Sequence, residues 1–296
     1  MIKKYEFTEE TKVICGRKLH KIRALRDFND VKAGDLGGFI EKEENLSHEG
    51  NCWVYNNAKV YDNAKIYGDA IICGNAVIYV NAKIYGNAVI HGNAGIYGNA
   101  VICGNAGIYG NAVIYGNAVI YGNAEIHGNA VIYGNAEICG NAEICGNAGI
   151  YGNAVIYGNA EIHGNAVIYG NAEIYGNAVI YGNAVIYGNA EIHGNAVIYG
   201  NAEIYGNAVI YNGKWDKSPL YIQGTKWAFY VSSENTITTG CQIHTFEEWQ
   251  KNYKQIAKEH DGLEVLTEYI RYFNLACEMY GKEKYKIDLK EEAANR

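Results

Sequence analysis

His127, Cys145 and His163 stand eighteen residues apart, and a glutamate lies two positions before each of them: Glu125, Glu143 and Glu161. Imidazole and thiolate are ligands of a zinc-like ion, so this spacing raises metal binding wherever an eighteen-residue period stacks the three. Proton transfer is the second chemistry on offer, with His20 and His244 as the candidate bases outside the periodic region. Gly240-Cys-Gln-Ile-His244 adds a further Cys/His pair. His91, His127, His163 and His193 all occupy one position of a repeat, where Tyr or Cys otherwise stands. Histidines that interchange in this way read as surface substitutions, because a general base needs an orienting partner and a pocket.

The repeat that positions these residues is short. From Val60 to Ile210 every sixth residue is Ile, the first alone being Val, and Ala stands two residues before each of these 26 positions, from Ala58 to Ala208. Gly-Asn follows in nearly every unit, with departures at Asp62, Asp69, Val80 and Asn212. Cys52-Trp-Val54-Tyr-Asn-Asn is a degenerate earlier copy. In an extended segment Ala and Ile, two apart, point the same way, and the residues flanking Ile point oppositely. Gly and Asn both tolerate the positive φ of a tight corner. One unit cannot bury its own Ile, whereas stacked coils bury a continuous column of them.

The unit Ala-x-Ile-x-Gly-Asn resembles that of the hexapeptide-repeat, left-handed β-helix proteins. The resemblance implies an all-β solenoid: a triangular prism with three hexads per coil and about nine coils, roughly 43 Å long at the usual strand spacing. Sorted by every third hexad, one outward column is entirely tyrosine: Tyr61, Tyr79, Tyr97, Tyr115, Tyr133, Tyr151, Tyr169, Tyr187 and Tyr205. Flanked by Val, these rings form an apolar strip suited to a partner subunit, another protein or a sugar. Many members of the family are acyltransferases using acyl-CoA, with a His and loops that break the hexad pattern. No hexad here carries an insertion, so acyl transfer falls to the ends, with His20 or His244 as base. The expectation is therefore a non-catalytic binding or scaffolding solenoid without cofactor, associating with itself or with another protein. No bound metal is expected either, because Cβ vectors in a column run parallel; His127, Cys145 and His163 are the set that would hold one.

Outside the repeat the chain changes character. Residues 1–51 read as a β-rich cap of short strands and turns, similar to the leading segments of bacterial and prophage-encoded hexapeptide-repeat proteins, some of which carry an acyltransferase label. An antagonist of host defence in a phage setting is a further class consistent with that likeness. Residues 52–211 form the solenoid. Residues 212–296 read as strands at Tyr221-Ile-Gln and Trp227–Val231, followed by two helices. The first helix has a capping box at Thr245 and Glu248 with Trp249, Tyr253 and Ile256 on one face; the second is marked by Leu263, Leu266, Ile270, Phe273 and Cys277. Capping is what both ends are expected to do, since solenoid ends expose unpaired strand edges.

Composition narrows the classes. Glycine is abundant at 36 residues, but proline occurs once, at Pro219, and a period of six is not collagenous. No run approaches the ~18 apolar residues of a membrane span. The start, Met1-Ile-Lys-Lys-Tyr, lacks an apolar leader, and eight cysteines in so long a chain do not form a disulfide framework, which together suggest a reducing cytoplasm. Of the net charge of −7, residues 52–211 contribute most, with three Lys against nine acids. That sign disfavours nucleic acid as a partner. Seven glutamates from Glu125 to Glu203 give about one charge per 3 Å of prism, sparser than the ~1.7 Å of duplex DNA, so DNA mimicry is disfavoured too.

Overall fold

The computed structural model describes residues 3–260 and 262–290; the first two residues of the start discussed above lie outside them. Each hexad contributes a strand of as few as two residues, such as Val119–Ile120, and a corner. Its backbone N–H groups reach the coil above: Val119 N donates to Ala136 O, Tyr121 N to Ile138 O and Asn123 N to Gly140 O, at 2.9, 3.0 and 2.8 Å. Repetition of this pattern builds a parallel β-solenoid with three sheets, in which every strand pairs with the strands one coil before and after it. From Ala64 to Ile210 the interior is filled by the repeat's Ala and Ile columns, each member at most 1% exposed. Among the described residues no helix is long and apolar enough to cross a membrane.

The solenoid has about ten turns rather than the nine counted from the period, because non-repetitive rungs extend it before the first hexad and after the last. Strand β3, Leu36–Ile40, pairs in parallel with Lys59–Val60, Leu46 bridges Ile66, and Trp53–Val54 pairs with Ile71–Ile72. Ile40, Leu46 and Val54 thus take the interior positions that Ile holds elsewhere. Gly38 replaces Ala before Ile40, and a Cβ there would lie 2.5 Å from the Ala58 carbonyl. Trp53–Val54 is the degenerate copy read from the sequence, whereas Leu36–Ile40 and Leu46 lack the Ala-x-Ile signature and were not legible as part of a coil.

The corners also differ from the expectation that both Gly and Asn supply positive φ. Only the first corner residue does: Gly116, for example, has φ +90, and a Cβ on it would sit 2.6 Å from Gly134 O. Where Gly is absent, Asn56, Asp62 and Val80 adopt the same left-handed conformation. The Asn that follows does different work. From Asn75 to Asn189 each donates its side-chain amide to the Asn eighteen residues on, as Asn99 to Asn117 at 2.9 Å and Asn117 to Asn135 at 2.8 Å, so an amide ladder climbs each of the three edges.

Both ends are closed. Strands β1, Tyr5–Ile14, and β2, Arg17–Ala24, form an antiparallel hairpin that joins the edge of β3. The buried Lys4 ammonium lies on the first coil, donating to Cys52 O at 2.8 Å, and burial lowers its pKa. At the other end Trp215 stacks on Ile198 as the last rung. A four-stranded antiparallel sheet follows, running through Tyr221–Gln223, Ala228–Val231, Thr236–Thr239 and Gln242–Thr245. The two polar strands after Val231 carry no alternating apolar signal and were not anticipated. Helices α1, Phe246–Glu259, and α2, Leu266–Met279, pack with Trp249 stacked on Phe273 at 4.4 Å. The capping box is present, Glu248 N donating to Thr245 Oγ1 at 3.1 Å. Leu263 sits in a short 3-10 turn before α2 and is exposed.

Val80 provides a direct check on the corners. A β-branched residue held at φ +63 is strained by about 1–2 kcal/mol, so Val80→Gly is expected to raise the unfolding free energy by about 1 kcal/mol after the backbone entropy of glycine is deducted. Gly116→Val should lower it by more than that, since it adds a collision with backbone to the same strain. Denaturant midpoints measure both; a destabilised Val80→Gly contradicts this account of the corner.

Candidate functional site

The outward residues fall on three faces of different chemistry. The tyrosine column lies on the face that begins with β3, one ring above another. Centroids are 5.0 Å apart for Tyr61 and Tyr79, 4.9 Å for Tyr79 and Tyr97, 4.5 Å for Tyr97 and Tyr115, and 5.0 Å for Tyr115 and Tyr133. The stack resumes from Tyr151 through Tyr169 and Tyr187 to Tyr205, at 5.0, 5.4 and 5.1 Å. Tyr151 also lies over Gly149, where a Cβ would meet its ring at 2.5 Å. Tyr61 is not available to a ligand: it is buried with Leu19 and Phe39, with Ile14 of the hairpin packed against them. Tyr115, Tyr133, Tyr169 and Tyr205 are the exposed members. From Val77 to Val185 the residue preceding Ile on this face is Val or Gly, so charge enters these rungs only with Lys59 and Glu203 at the two ends.

The second face carries the metal-ligating types. Glu125, Glu143 and Glu161 are Cα partners on consecutive rungs. Each is hydrogen-bonded to the residue two further on: Glu125 to His127 at 2.9 Å, Glu143 to Cys145 at 3.0 Å and Glu161 to His163 at 3.2 Å. His127 turns to its own glutamate and stacks on Tyr109 at 4.8 Å. The group whose ligand atoms come within 4.8 Å of one another is instead Glu143, Cys145 and His163, all half-buried. Burial, the Glu143 hydrogen bond and the surrounding carboxylates push the Cys145 thiol up to about 12. Glu143 was the member missing from the set read off the sequence. Its signal was available in the recurring Glu-Ile-His and Glu-Ile-Cys triplets, which place a carboxylate on the same side of the rung.

The same pairing recurs on the third face, where Glu173 accepts from Tyr175 at 2.6 Å and His193 pairs with Glu191 at 2.9 Å. These partners are needed, because no Lys or Arg occurs between Lys83 and Lys214.

The two candidate bases lie at opposite ends. His20, on β2, is half-buried and stacked on Phe7 at 5.1 Å, and among the described residues no carboxylate hydrogen-bonds its ring. His244, in the last strand before α1, has a buried Nε2 without a hydrogen-bond partner, and burial lowers its pKa against the opposing pull of Glu248. Neither therefore has the base–orienter pair that acyl transfer uses. Near His244 the sheet and the two helices enclose a cavity of about 170 Å3 lined by Trp227, Trp249, Tyr253, His260 and Tyr269. The helical pattern puts Trp249 and Tyr253 on one face, but nothing in the sequence joined Trp227, His260 and Tyr269 to them.

Two likenesses to known proteins accompany this geometry. The YdcK β-solenoid repeat family matches residues 106–122 and 172–188, both inside the prism. The uncharacterized acetyltransferase YdcK of Escherichia coli (strain K12) is 43% identical over 63 residues, which is 19% of this chain and 19% of that protein. The chain thus matches about a fifth of that relative's length.

Stacked carboxylates without a basic residue nearby have a measurable consequence. Like charges one rung apart repel by about 1 kcal/mol at the dielectric of water, and salt screens exposed charges. Raising NaCl from 20 to 500 mM is therefore expected to raise the melting temperature, as followed by circular dichroism. A falling melting temperature would show that attractive ion pairs dominate instead.

Proposed function

We propose that this hexapeptide-repeat β-solenoid is a non-catalytic binding and scaffolding protein whose tyrosine face docks a protein surface, with a second copy of the chain as the first partner to test. The observation that carries the reading is the uncharged, half-exposed column from Tyr79 to Tyr187, held on uninterrupted rungs between faces that carry glutamate. An apolar strip of this length is costly to leave in water. A matching strip from another subunit covers it without burying charge. Unbroken hexads leave no loop to build a substrate pocket on the prism, which is why the rod supplies a surface rather than a reaction.

Acyl transfer is the second reading, favoured by the name of the Escherichia coli relative. It requires a site at the ends, where His244 and the neighbouring aromatic cavity are the available parts.

Native mass spectrometry and light scattering of the purified chain separate the two. The scaffold reading expects an oligomer at micromolar concentration, reduced to monomer by joint replacement of Tyr115, Tyr133 and Tyr169 with Ser, and no turnover of acetyl-CoA. A wild-type chain that stays monomeric removes the subunit version. Acetyl-CoA turnover that is lost in His244→Ala or His20→Ala establishes the enzyme reading instead.

A further inference from the structure

The geometry points to a zinc-class divalent cation site formed by Glu143, Cys145 and His163, a function independent of the tyrosine face. Three different ligand types meet here, and on two adjacent rungs only. Their ligand atoms lie within 4.8 Å of one another, and the Glu143 carboxylate already touches the Cys145 thiol at 3.0 Å. Around a tetrahedral zinc, ligand atoms stand about 3.3–3.8 Å apart given its 2.0–2.3 Å bonds. Side-chain rotation about χ1 and χ2 closes the remaining gap, with no movement of the paired backbone. Parallel Cβ vectors, the objection from sequence, do not prevent this, because Glu and His are long enough to lean toward the short cysteine between them.

The surroundings complete the site. Glu161 holds His163 Nε2 at 3.2 Å, in place either as a fourth ligand or as the carboxylate that orients a metal-bound imidazole. Glu125, one rung below Glu143, adds negative charge, and the chain has no Lys or Arg from 84 to 213 to neutralise it. The other candidate rungs do not bring the three together. Glu125 and His127 also adjoin the Cys145 rung, but His127 turns to Glu125 and stacks on Tyr109 beneath it, and Glu191 and His193 lie between Tyr175 and Tyr211. Cys139 has the hydroxyl of Tyr121 beside its Glu137 rather than an imidazole. Binding is balanced as Zn2+ plus the Cys145 thiol giving the Zn–S bond and one proton released to solvent. The carboxylates that keep that thiol protonated in the free protein are the groups a dication neutralises. The bound ion clamps two coils together from outside.

The test uses the full-length chain without a histidine tag, stripped with a chelator. Titration with Zn2+ should show one equivalent bound with one proton released, and Co2+ should give a thiolate-to-cobalt absorption band near 300–350 nm. Cys145→Ser and His163→Ala are each expected to weaken binding at least tenfold and to abolish or shift the band. His193→Ala, which keeps these ligands, should leave both unchanged. Bound Zn2+ should also protect Cys145 from alkylation, scored by peptide mass. Since all three side chains lie outside the core, circular dichroism should report intact solenoid in each variant. No binding of Zn2+ at 100 μM protein overturns the proposal. So does binding whose affinity survives both Cys145→Ser and His163→Ala, which places the ion elsewhere, for instance at Cys241 and His260 near the C-terminal cavity.

Discussion

Every feature of the molecule depends on one constraint, the hydrogen bonds that tie each rung to the rung eighteen residues later. Because Tyr121 N reaches Ile138 O and Asn123 N reaches Gly140 O, like positions are forced to lie directly above like. Inside, this puts Ile on Ile and Ala on Ala, a core of a single repeated contact. At the corners it puts a glycine Cα under the next glycine carbonyl, so that a Cβ on Gly116 would lie 2.6 Å from Gly134 O, and it brings successive Asn amides to hydrogen-bonding distance. Outside, it puts Tyr on Tyr, which is favourable, and Glu on Glu, which is not. The same bond that makes the fold regular therefore makes each outward column a decision about what can stand to be stacked.

That decision separates the faces. Aromatic rings tolerate the imposed spacing and form an uncharged strip. Most of the carboxylates have a polar partner on their own rung, the chain supplying His, Cys or Tyr two residues on, and Glu137 takes Tyr121 from the adjacent rung, in place of any lysine or arginine. The group of Glu143, Cys145 and His163 proposed as a cation site is one result of that arrangement, in which a local remedy for repulsion happens to assemble three ligand types. Irregular structure is confined to the two ends, where strands must be capped and the interior closed by Lys4 and Trp215. Any chemistry that needs a cavity is confined there as well.

How much was legible follows from the same physics. A period of six with Ala and Ile in phase leaves one way to bury the Ile column, so the solenoid and its tyrosine face could be read from the residues alone. The first turn could not, because Leu36–Ile40 and Leu46 pair with the repeat without sharing its signature. The role of the corner Asn was misjudged for a different reason: its amide bonds only with its own copy in the next coil, a contact invisible to any reading of a single unit. Likewise residue type and column make His127 and His163 equal partners of Cys145 in the sequence. Rotamers decided otherwise, drawing His127 to Glu125 and leaving Glu143 beside the thiol. The C-terminal cavity was beyond reach, since it joins Trp227 to helices that begin some twenty residues later and depends on two polar strands between them.

The central claim, that a continuous tyrosine face on an uninterrupted rod is what the protein presents, is tested most directly by comparing the association of two deletion variants by light scattering. Removing residues 117–134 takes out one whole coil and leaves the column aligned, eight rings long. Removing residues 117–122 takes out one hexad, which turns everything beyond it by one face and stacks Tyr115 against Cys139. Both keep the Ala and Ile columns and should retain the far-ultraviolet spectrum of the solenoid. The account predicts that the coil deletion associates as the intact chain does and that the hexad deletion does not. Equal association of both, or of neither while the intact chain associates, would contradict it.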